Sequence, residues 1–479
     1  MRRGAGRNFL CASAICASVV AASCSVYTPE TAPRPAVELQ RTFAASGAES
    51  VGRWWKDFDD EDLAAVIDQA LADNLSLRMA WARLDQMRAL ARIAGAPRYP
   101  SATVAANAQR QRLGVAQPSL TSGLPEDTVD TLYAGLGISY QADLWQRIGN
   151  AHRASVLEAE ASEQELESTT LAIAAAAGEL WWAIAAQQTT LDLLEDQLEV
   201  GEDYLNLVQA RFARGLASAA EVYQQRLQVE TTRAQIPMAT MGLELSKHQL
   251  AVLLGREPRA ETSLPRPSLP DLPPMPATGV PLEVLRSRPD VRAAELMLVA
   301  ADHRVAAAVA DRYPSLSFGV SGGVQSADFS DALDHWFLGL AGDLLAPIFQ
   351  GGRLKAEVDR NRAVVEERFS AWQATLLEAC REVEDALARE RGLAESLTVL
   401  DRQLEHARMS LERTRALYVN GLIDYLNVLT SLQVLQELER TAISTHRELL
   451  VNRVRLYLSL GGSWAAERDR STPPGEDMT

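Results

Sequence analysis

Cysteine, aromatic residues and basic charge are all scarce in this sequence of 479 residues. It contains four Cys, and aromatic side chains make up 6% of the chain. Cys11 and Cys16 fall within an N-terminal apolar run, Cys24 follows it directly, and only Cys380 lies further along, so the sequence has no disulfide framework. Acidic residues outnumber basic ones, 63 to 47, which argues against a nucleic-acid partner. Ala, Leu, Glu, Gln and Arg dominate, as is typical of long helices and coiled coils.

Residues that could carry catalysis or bind a metal are isolated from one another. The six His stand singly, and no HExxH or CxxC pattern accompanies them. No GxSxG elbow, Walker loop or Rossmann glycine pattern is present. Acidic pairs such as Glu384-Asp385 are typical of solvated helix faces. The sequence therefore predicts no catalytic residue, no metal site and no cofactor, and the protein is not expected to be an enzyme.

Long apolar runs are missing beyond the N-terminus, so no membrane-spanning helix is predicted. The N-terminus has the form of a signal peptide over residues 1–23, with Arg2 and Arg3 preceding the apolar run at 9–20. The run leads to Ala-Ala-Ser-Cys24, which resembles a bacterial lipobox although Ala replaces the usual Leu. Cys24 is therefore predicted to be lipidated; the alternative is ordinary cleavage nearby that leaves a free thiol. By the same resemblance, Ser25 implies sorting to the outer membrane.

Two halves of the chain repeat one another. RYPSATVAANAQ at 98–109 matches RYPSLSFGVSGG at 312–323. A heptad pattern from Leu191 to Gly215 recurs, in the same register, from Leu397 to Gly421. These matches indicate an internal duplication. The predicted organisation is a signal peptide at 1–23, an N-terminal arm at 24–61, a first repeat at 62–257, a Pro-rich linker at 258–281, a second repeat at 282–463 and a disordered tail at 464–479.

Each repeat predicts a helix, two strands, a very long helix and a return helix. The strands show strict alternation, as in Leu316, Phe318 and Val320, with Ser and Gly between them. The predicted helices are 62–94, 150–214 and 219–254, then 289–311, 353–420 and 424–460. The predicted second strands are 131–141 and 335–345. Trp54-Trp55 and Trp181-Trp182 are interpreted as packing anchors.

Helix length and strand length together indicate a channel. A helix of about 65 residues spans roughly 100 Å, more than a compact domain. Four strands with one apolar face have the length needed to cross a bilayer, but a closed barrel needs about eight or more. The chain must therefore pool strands with copies of itself, eight in a dimer or twelve in a trimer.

Seven segments in order give the sequence a family resemblance. They include WWKDFDDEDL at 54–63, ADLWQRIGNAHRAS at 142–155, SRPDVRAAE at 287–295, APIFQGGRLKAEVD at 346–359 and the two glycine turns. The chain resembles the outer-membrane factors of tripartite efflux systems (TolC/OprM type), in their NodT-like lipoprotein branch. The resemblance implies a homotrimer with a twelve-stranded β-barrel in the outer membrane and an α-helical coiled-coil tunnel in the periplasm. It also implies a periplasmic adaptor and an inner-membrane resistance-nodulation-division (RND) transporter as partners.

The resemblance places the periplasmic tip, or aperture, at Gly215, Gly421, Leu422 and Asp424. Three copies of Asp424 around an axis would form a cation-attracting constriction. The alternative makes Asp424 an N-cap of the return helix. The functional hypothesis is a passive exit duct of an RND-type exporter. The alternative is a periplasm-spanning lipoprotein tether without a pore, which would have no use for the alternating strands.

Overall fold

The computed structural model describes most of both repeats. The residues described are 26–29, 53–113, 127–258, 266–276, 287–327, 331 and 333–461. The predicted signal peptide, Cys24 and the predicted tail lie outside these residues, as does most of the predicted arm. The described part of the Pro-rich linker, 266–276, contains no helix, as expected from its prolines.

Among the described residues the two repeats share a helix, two strands, a long helix and a return helix, and the first repeat has one further helix at its start. The first comprises α1 (Glu61–Asp73), α2 (Leu75–Gly95), β1 (Ser101–Leu113), β2 (Asp127–Ala142), α3 (Arg147–Ala213) and α4 (Ala219–Leu253). The second comprises α5 (Pro289–Ala310), β3 (Ser315–Ser326), β4 (Trp336–Leu345), α6 (Arg353–Val419) and α7 (Tyr425–Ser459). Both α3 and α6 have 67 residues, and both α4 and α7 have 35. The fold is therefore mainly helical with a small sheet, as the sequence predicts.

The helix predicted over 62–94 is wrong in one respect, because the chain breaks it at Asn74. Asn74 has an extended backbone, with φ −63° and ψ 125°. Its Oδ1 accepts a hydrogen bond from the Leu77 backbone N–H at 3.0 Å, and its Nδ2 donates to the Leu253 carbonyl at 2.8 Å. The side chain thus caps α2 and fastens it to the end of α4. The apolar periodicity continues through this point and conceals the break.

In the second repeat a different residue connects the start of the helix before the strands to the end of the return helix. Arg288, immediately before α5, donates to the Ser459 carbonyl at the end of α7 at 3.1 Å. It also forms hydrogen bonds with Asp290 at 2.8 Å and Glu382 at 2.7 Å. Because the guanidinium is buried, these two carboxylates supply the partners that a buried charge requires. Asp290 accepts this bond and one from the Val291 N–H, in keeping with a role at the helix start.

The chain divides into two compact units, and each contains segments of both repeats. The described parts of the first unit lie within 1–35, 84–162 and 294–372. The described parts of the second lie within 36–83, 163–293 and 373–479. The units therefore do not correspond to the two repeats.

The first unit contains an antiparallel sheet of four strands in the order β1-β2-β3-β4. Val104 pairs with Leu136, and Ile138 pairs with Val320, which pairs with Leu340. These apolar side chains share one face, which we call the apolar sheet face, and they are exposed; Val104 and Leu340 are each 81% exposed. The opposite face, the polar sheet face, contains Ser, Thr, Asn, Gln and Gly. The period-two pattern of the sequence is confirmed.

The second unit contains a buried aromatic cluster. Trp54 packs on Trp55, Phe58, Trp182 and Tyr457, with ring centroids 5.7–6.3 Å apart. The packing is tight, because a Cβ at Gly178 would lie 2.7 Å from the Trp54 ring. These rings are buried and hold the short 3₁₀ turn Trp54–Phe58 against α3 and α7. The interpretation of the two Trp pairs as packing anchors is confirmed.

One helix of the described residues, α3, contains a stretch long and apolar enough to cross a membrane by length and composition. Within that stretch 67% of the residues are buried inside the fold. Ala174, Ala177, Trp181 and Ile184 lie in this region and contribute to the core. Its apolarity therefore serves packing within the protein.

Candidate functional site

Both long helices end in the same glycine turn. Gly215 follows α3 and Gly421 follows α6, and each has φ +71°. The Leu216 N–H donates to the Arg211 carbonyl at 2.9 Å, and the Leu422 N–H donates to the Leu417 carbonyl at 3.0 Å. This is the bonding pattern of a Schellman motif. A Cβ would meet nothing within 4 Å at either glycine, so backbone conformation rather than space accounts for glycine here.

The residue three positions beyond each glycine is the N-cap of the return helix, but the two N-caps differ. Ser218 forms a capping box with Glu221: Glu221 N–H donates to Ser218 Oγ at 3.3 Å, and Ser218 N–H donates to Glu221 Oε1 at 3.0 Å. Asp424 occupies the N-cap position of α7 with an extended backbone, yet its side chain makes no cap hydrogen bond. Its carboxylate is therefore exposed at the N-cap position and accepts no hydrogen bond from the first turn of α7.

Exposed apolar side chains project from both turns. Leu216 is 61% exposed and its counterpart Leu422 is 69% exposed. The turns adjoin, because Arg211 of α3 donates to the Val419 carbonyl of α6 at 3.1 Å. The structure thus brings Gly215, Gly421 and Leu422 to one end of the second unit, where Asp424 occupies the N-cap position of α7.

A tyrosine cluster lies immediately behind the turns. It consists of Tyr204 on α3, Tyr418 on α6 and Tyr425 on α7, packed with Val208, Val222 and Val428. The Tyr418 and Tyr425 rings are 5.2 Å apart, and the Arg211 guanidinium lies 4.5 Å from the Tyr418 ring centroid. The cluster therefore joins the helix pair of one repeat to that of the other.

Two tyrosine hydroxyls connect the repeats by hydrogen bonds. Tyr418 Oη donates to Glu221 Oε2 at 2.9 Å, and Tyr425 Oη donates to Gln225 Oε1 at 2.6 Å. Gln225 in turn donates to the Gly201 carbonyl at 2.7 Å, deep within the protein. Burial, followed by the Glu221 hydrogen bond and charge, raises the pKa of Tyr418 to about 12. Burial likewise raises the pKa of Tyr425, with further contributions from Tyr204 and Tyr418.

Further from the turns, glutamine side chains continue the hydrogen bonding between the helices of the two repeats. Gln433 of α7 donates to Gln228 of α4 at 2.7 Å, and Gln228 donates to Gln436 at 3.0 Å. Gln197 of α3 donates to the Gln436 carbonyl at 3.3 Å, and Arg440 donates to Gln197 at 2.6 Å. We call this row of side chains the polar seam. Since a hydrogen bond contributes only about 0.5–1.5 kcal/mol net, such a seam separates at lower cost than an aliphatic interface of equal area.

The sequence locates the turns but misses their partners. Gly215, Gly421, Leu422 and Asp424 follow from the repeat and the resemblance. The Ser218-x-x-Glu221 pattern could have revealed the capping box. The pairing of Tyr418 with Glu221 joins residues 197 apart in the chain, and no local pattern indicates it. Among the described residues, no group of three His, Cys, Asp or Glu is arranged to hold a metal ion.

The comparisons with known proteins agree with this arrangement. The outer membrane efflux protein family matches residues 66–256 and 280–462. The pyoverdine export outer membrane protein OpmQ of Pseudomonas aeruginosa PAO1 is 31% identical over 427 residues, covering 88% of this chain and 90% of that protein.

Solved channels share the fold. The outer-membrane channel OprN superimposes with a TM-score of 0.84 at 26% identity, covering 92% of this chain and all of that one. The open state of the Neisseria gonorrhoeae MtrE outer membrane channel gives a TM-score of 0.80 at 25% identity, covering 91% and 98%. Long paired helices with a four-stranded sheet thus define a channel-forming class of outer-membrane protein. This chain belongs to the outer membrane efflux protein family.

Proposed function

We propose that three copies of this chain form a passive exit duct for small molecules, the outer-membrane part of a tripartite exporter. The observation that supports this most directly is the sheet in which four strands expose a continuous apolar face. Lipid admits strands only in closed barrels, so the strands of several copies must join. Three copies would supply twelve strands. The duct has no energy source of its own, so an inner-membrane transporter, of RND type, drives export through a periplasmic adaptor.

The dimensions of the apolar sheet face suit a bilayer. On β2 it runs from Leu132 to Tyr140, which rises about 26 Å along the strand. With a strand tilt near 40°, this covers roughly 20 Å, close to the apolar band of an outer-membrane barrel. Tyr140 pairs with Phe318 at one edge, and Trp336 pairs with Val324 at the other. Aromatic residues at both edges are typical of membrane interfaces. A tether without a pore has no need of these features.

The two glycine turns are the proposed periplasmic tip. Leu216 and Leu422 offer exposed apolar contacts for the adaptor, which must dock on the end of the tunnel. Asp424 of each copy would line the aperture, because its carboxylate is exposed and bound to no cap N–H. The Tyr418–Glu221 hydrogen bond and the polar seam would hold the aperture narrow until the adaptor or transporter separates the helix pairs.

Lipidation of Cys24 would add a second attachment to the outer membrane. Tyr27 lies three residues beyond Cys24, and its hydroxyl donates to Asp302 on α5 at 2.5 Å. Asp302 is buried, so this contact is protected from solvent. The contact holds Tyr27 within the unit that contains the sheet, and this supports attachment of the preceding Cys24 to the bilayer.

Native mass spectrometry in mild detergent tests the assembly, and conductance in planar bilayers tests the duct. The expected species is a homotrimer that conducts ions. A monodisperse monomer, or a trimer that never conducts, would contradict the proposal. A non-conducting trimer with intact lipid labelling is the outcome that would favour the tether.

A further inference from the structure

Two aromatic rings interrupt the polar sheet face. On this face the described residues are mainly small or amide-bearing, such as Thr103, Asn107, Ser139 and Ser321. Tyr133 on β2 and Phe337 on β4 are its aromatic members among the described strand residues. They contact each other, with ring centroids 5.8 Å apart and ring planes inclined by 28°.

Glycine makes this contact possible. Strand β3 lies between β2 and β4, and its residue in register with Phe337 is Gly323, which also pairs with Gly135. A Cβ on Gly135 would lie 2.7 Å from Tyr133 Oη, so the Tyr133 side chain extends along its own strand over that glycine. A Cβ on Gly323 would lie 2.2 Å from the Ala134 carbonyl. The two rings therefore meet over the paired glycines Gly135 and Gly323 and form one apolar patch.

Polar groups surround the patch. A recess of about 550 Å³ adjoins the patch at Phe337, and Thr131, Gln325, His335, Trp336 and two carboxylates also line it, whereas Tyr133 does not. Asp130 is one of the carboxylates; it lies on the same side of the sheet as Leu132, and Arg110 neutralises it with two hydrogen bonds of 2.7 Å. Asp331 is the other. The recess thus adds hydrogen-bonding side chains and the carboxylate of Asp331 beside the Phe337 ring of the aromatic pair.

We propose that the Tyr133–Phe337 pair is a contact site for planar aromatic solutes on the luminal wall of the channel, near its outer end. The inference rests on the proposed function, since the polar sheet face becomes the lumen only when the barrel closes. Aromatic faces favour flat aromatic partners and cations over aliphatic ones. The surrounding Thr and Gln side chains admit polar substituents. Half-buried rings on an open wall bind weakly, as a duct requires, because a solute must also leave.

Binding of proflavine, a planar aromatic cation, tests the site. The trimer is reconstituted in lipid nanodiscs, and fluorescence polarisation of the dye is titrated with empty nanodiscs as the blank. We expect saturable binding by the native trimer and at least a tenfold loss of affinity in the Tyr133→Leu/Phe337→Leu double variant. The single variants are expected to lose about threefold each, and they serve if the double variant fails to assemble.

Phe318→Leu is the matched control, because Phe318 is an aromatic residue of the same sheet on the apolar sheet face. Its affinity for proflavine should remain within twofold of the native value. Native binding no stronger than that of empty nanodiscs, or an equal loss in the control, would overturn the proposal. Conductance of the same trimers separates this outcome from failure of the proposed function: a conducting trimer without dye binding refutes the site alone.

Discussion

Tyr418 and Glu221 belong to different repeats and are joined by a hydrogen bond of 2.9 Å. The same carboxylate closes the capping box of α4 through its other oxygen, which accepts from Ser218 at 3.0 Å. One side chain therefore defines the start of a return helix and binds the neighbouring long helix. Any displacement of α6 from α4 at this end must break the contact with Glu221 or disturb the cap.

Tyr418→Phe removes the hydroxyl while keeping the ring. We expect the variant to conduct more than the native trimer in planar bilayers, because Glu221 loses a partner that holds the turns together. A hydrogen bond to a charged group contributes about 1.5–3 kcal/mol, so the open population should rise about tenfold or more. Tyr457→Phe is the matched control, since its hydroxyl donates to Asp57 at 2.7 Å in the aromatic cluster. Lower thermal stability with native conductance is expected there; the same result for Tyr418→Phe would contradict a gating role.

The pH dependence of this contact follows from the pKa of Tyr418, which burial and Glu221 raise to about 12. The ordinary value is about 10, so the folded protein holds the proton more tightly than the unfolded chain. The stability contributed is complete below about pH 10 and is lost as pH rises toward about 12. Conductance should consequently be insensitive to this group between about pH 6 and pH 9. A steep rise within that interval that disappears in Tyr418→Phe would contradict the assigned shift.

Gly421→Ala tests the turn itself. With φ +71°, the alanine must adopt a left-handed conformation, which costs about 1–2 kcal/mol. Gly392→Ala is the control, because Gly392 lies inside α6 with open space around it and should stabilise the helix by about 0.5–1 kcal/mol. Unfolding followed by tryptophan fluorescence should move in opposite directions for the two variants. Equal shifts would show that the turn conformation is not what requires glycine.

Cys24→Ser tests the anchor. Metabolic labelling with a palmitate analogue should mark the native protein and not the variant, whereas Cys380→Ser should remain labelled. The channel should still conduct in the unlabelled variant, because the sheet rather than the acyl chains holds the barrel in the membrane. Persistent label in Cys24→Ser would show that another residue is acylated.

The sequence predicts the helices, strands and turns well, but it predicts the contacts between distant segments poorly. The alternation around Phe318 and the repeated glycines identify the strands and the turns, since each depends on a local period or a single backbone conformation. Asn74 is missed because the apolar periodicity continues through it and because its contact with the end of α4, at Leu253, lies 179 residues away. The Tyr418–Glu221 pairing is missed for the same reason. Contacts between repeats depend on how two long helices align, and the heptad pattern leaves that alignment open.

Asp424→Asn separates the two interpretations of this acid. Asp424 occupies the N-cap position of α7 but makes no cap hydrogen bond, so its amide analogue should leave the unfolding midpoint nearly unchanged. If three carboxylates surround the aperture, the variant should lose much of its preference for cations. The loss should be clearest at low salt, where the Debye length is about 30 Å and the charges are screened least. Asp401→Asn is the control, because its position on α6 lies about 30 Å from the turn at 1.5 Å per residue. Reversal potentials measured under a potassium chloride gradient give the selectivity directly. Unchanged selectivity in Asp424→Asn would reduce Asp424 to the residue at which α7 begins, and an equal loss in Asp401→Asn would place the selectivity outside the aperture.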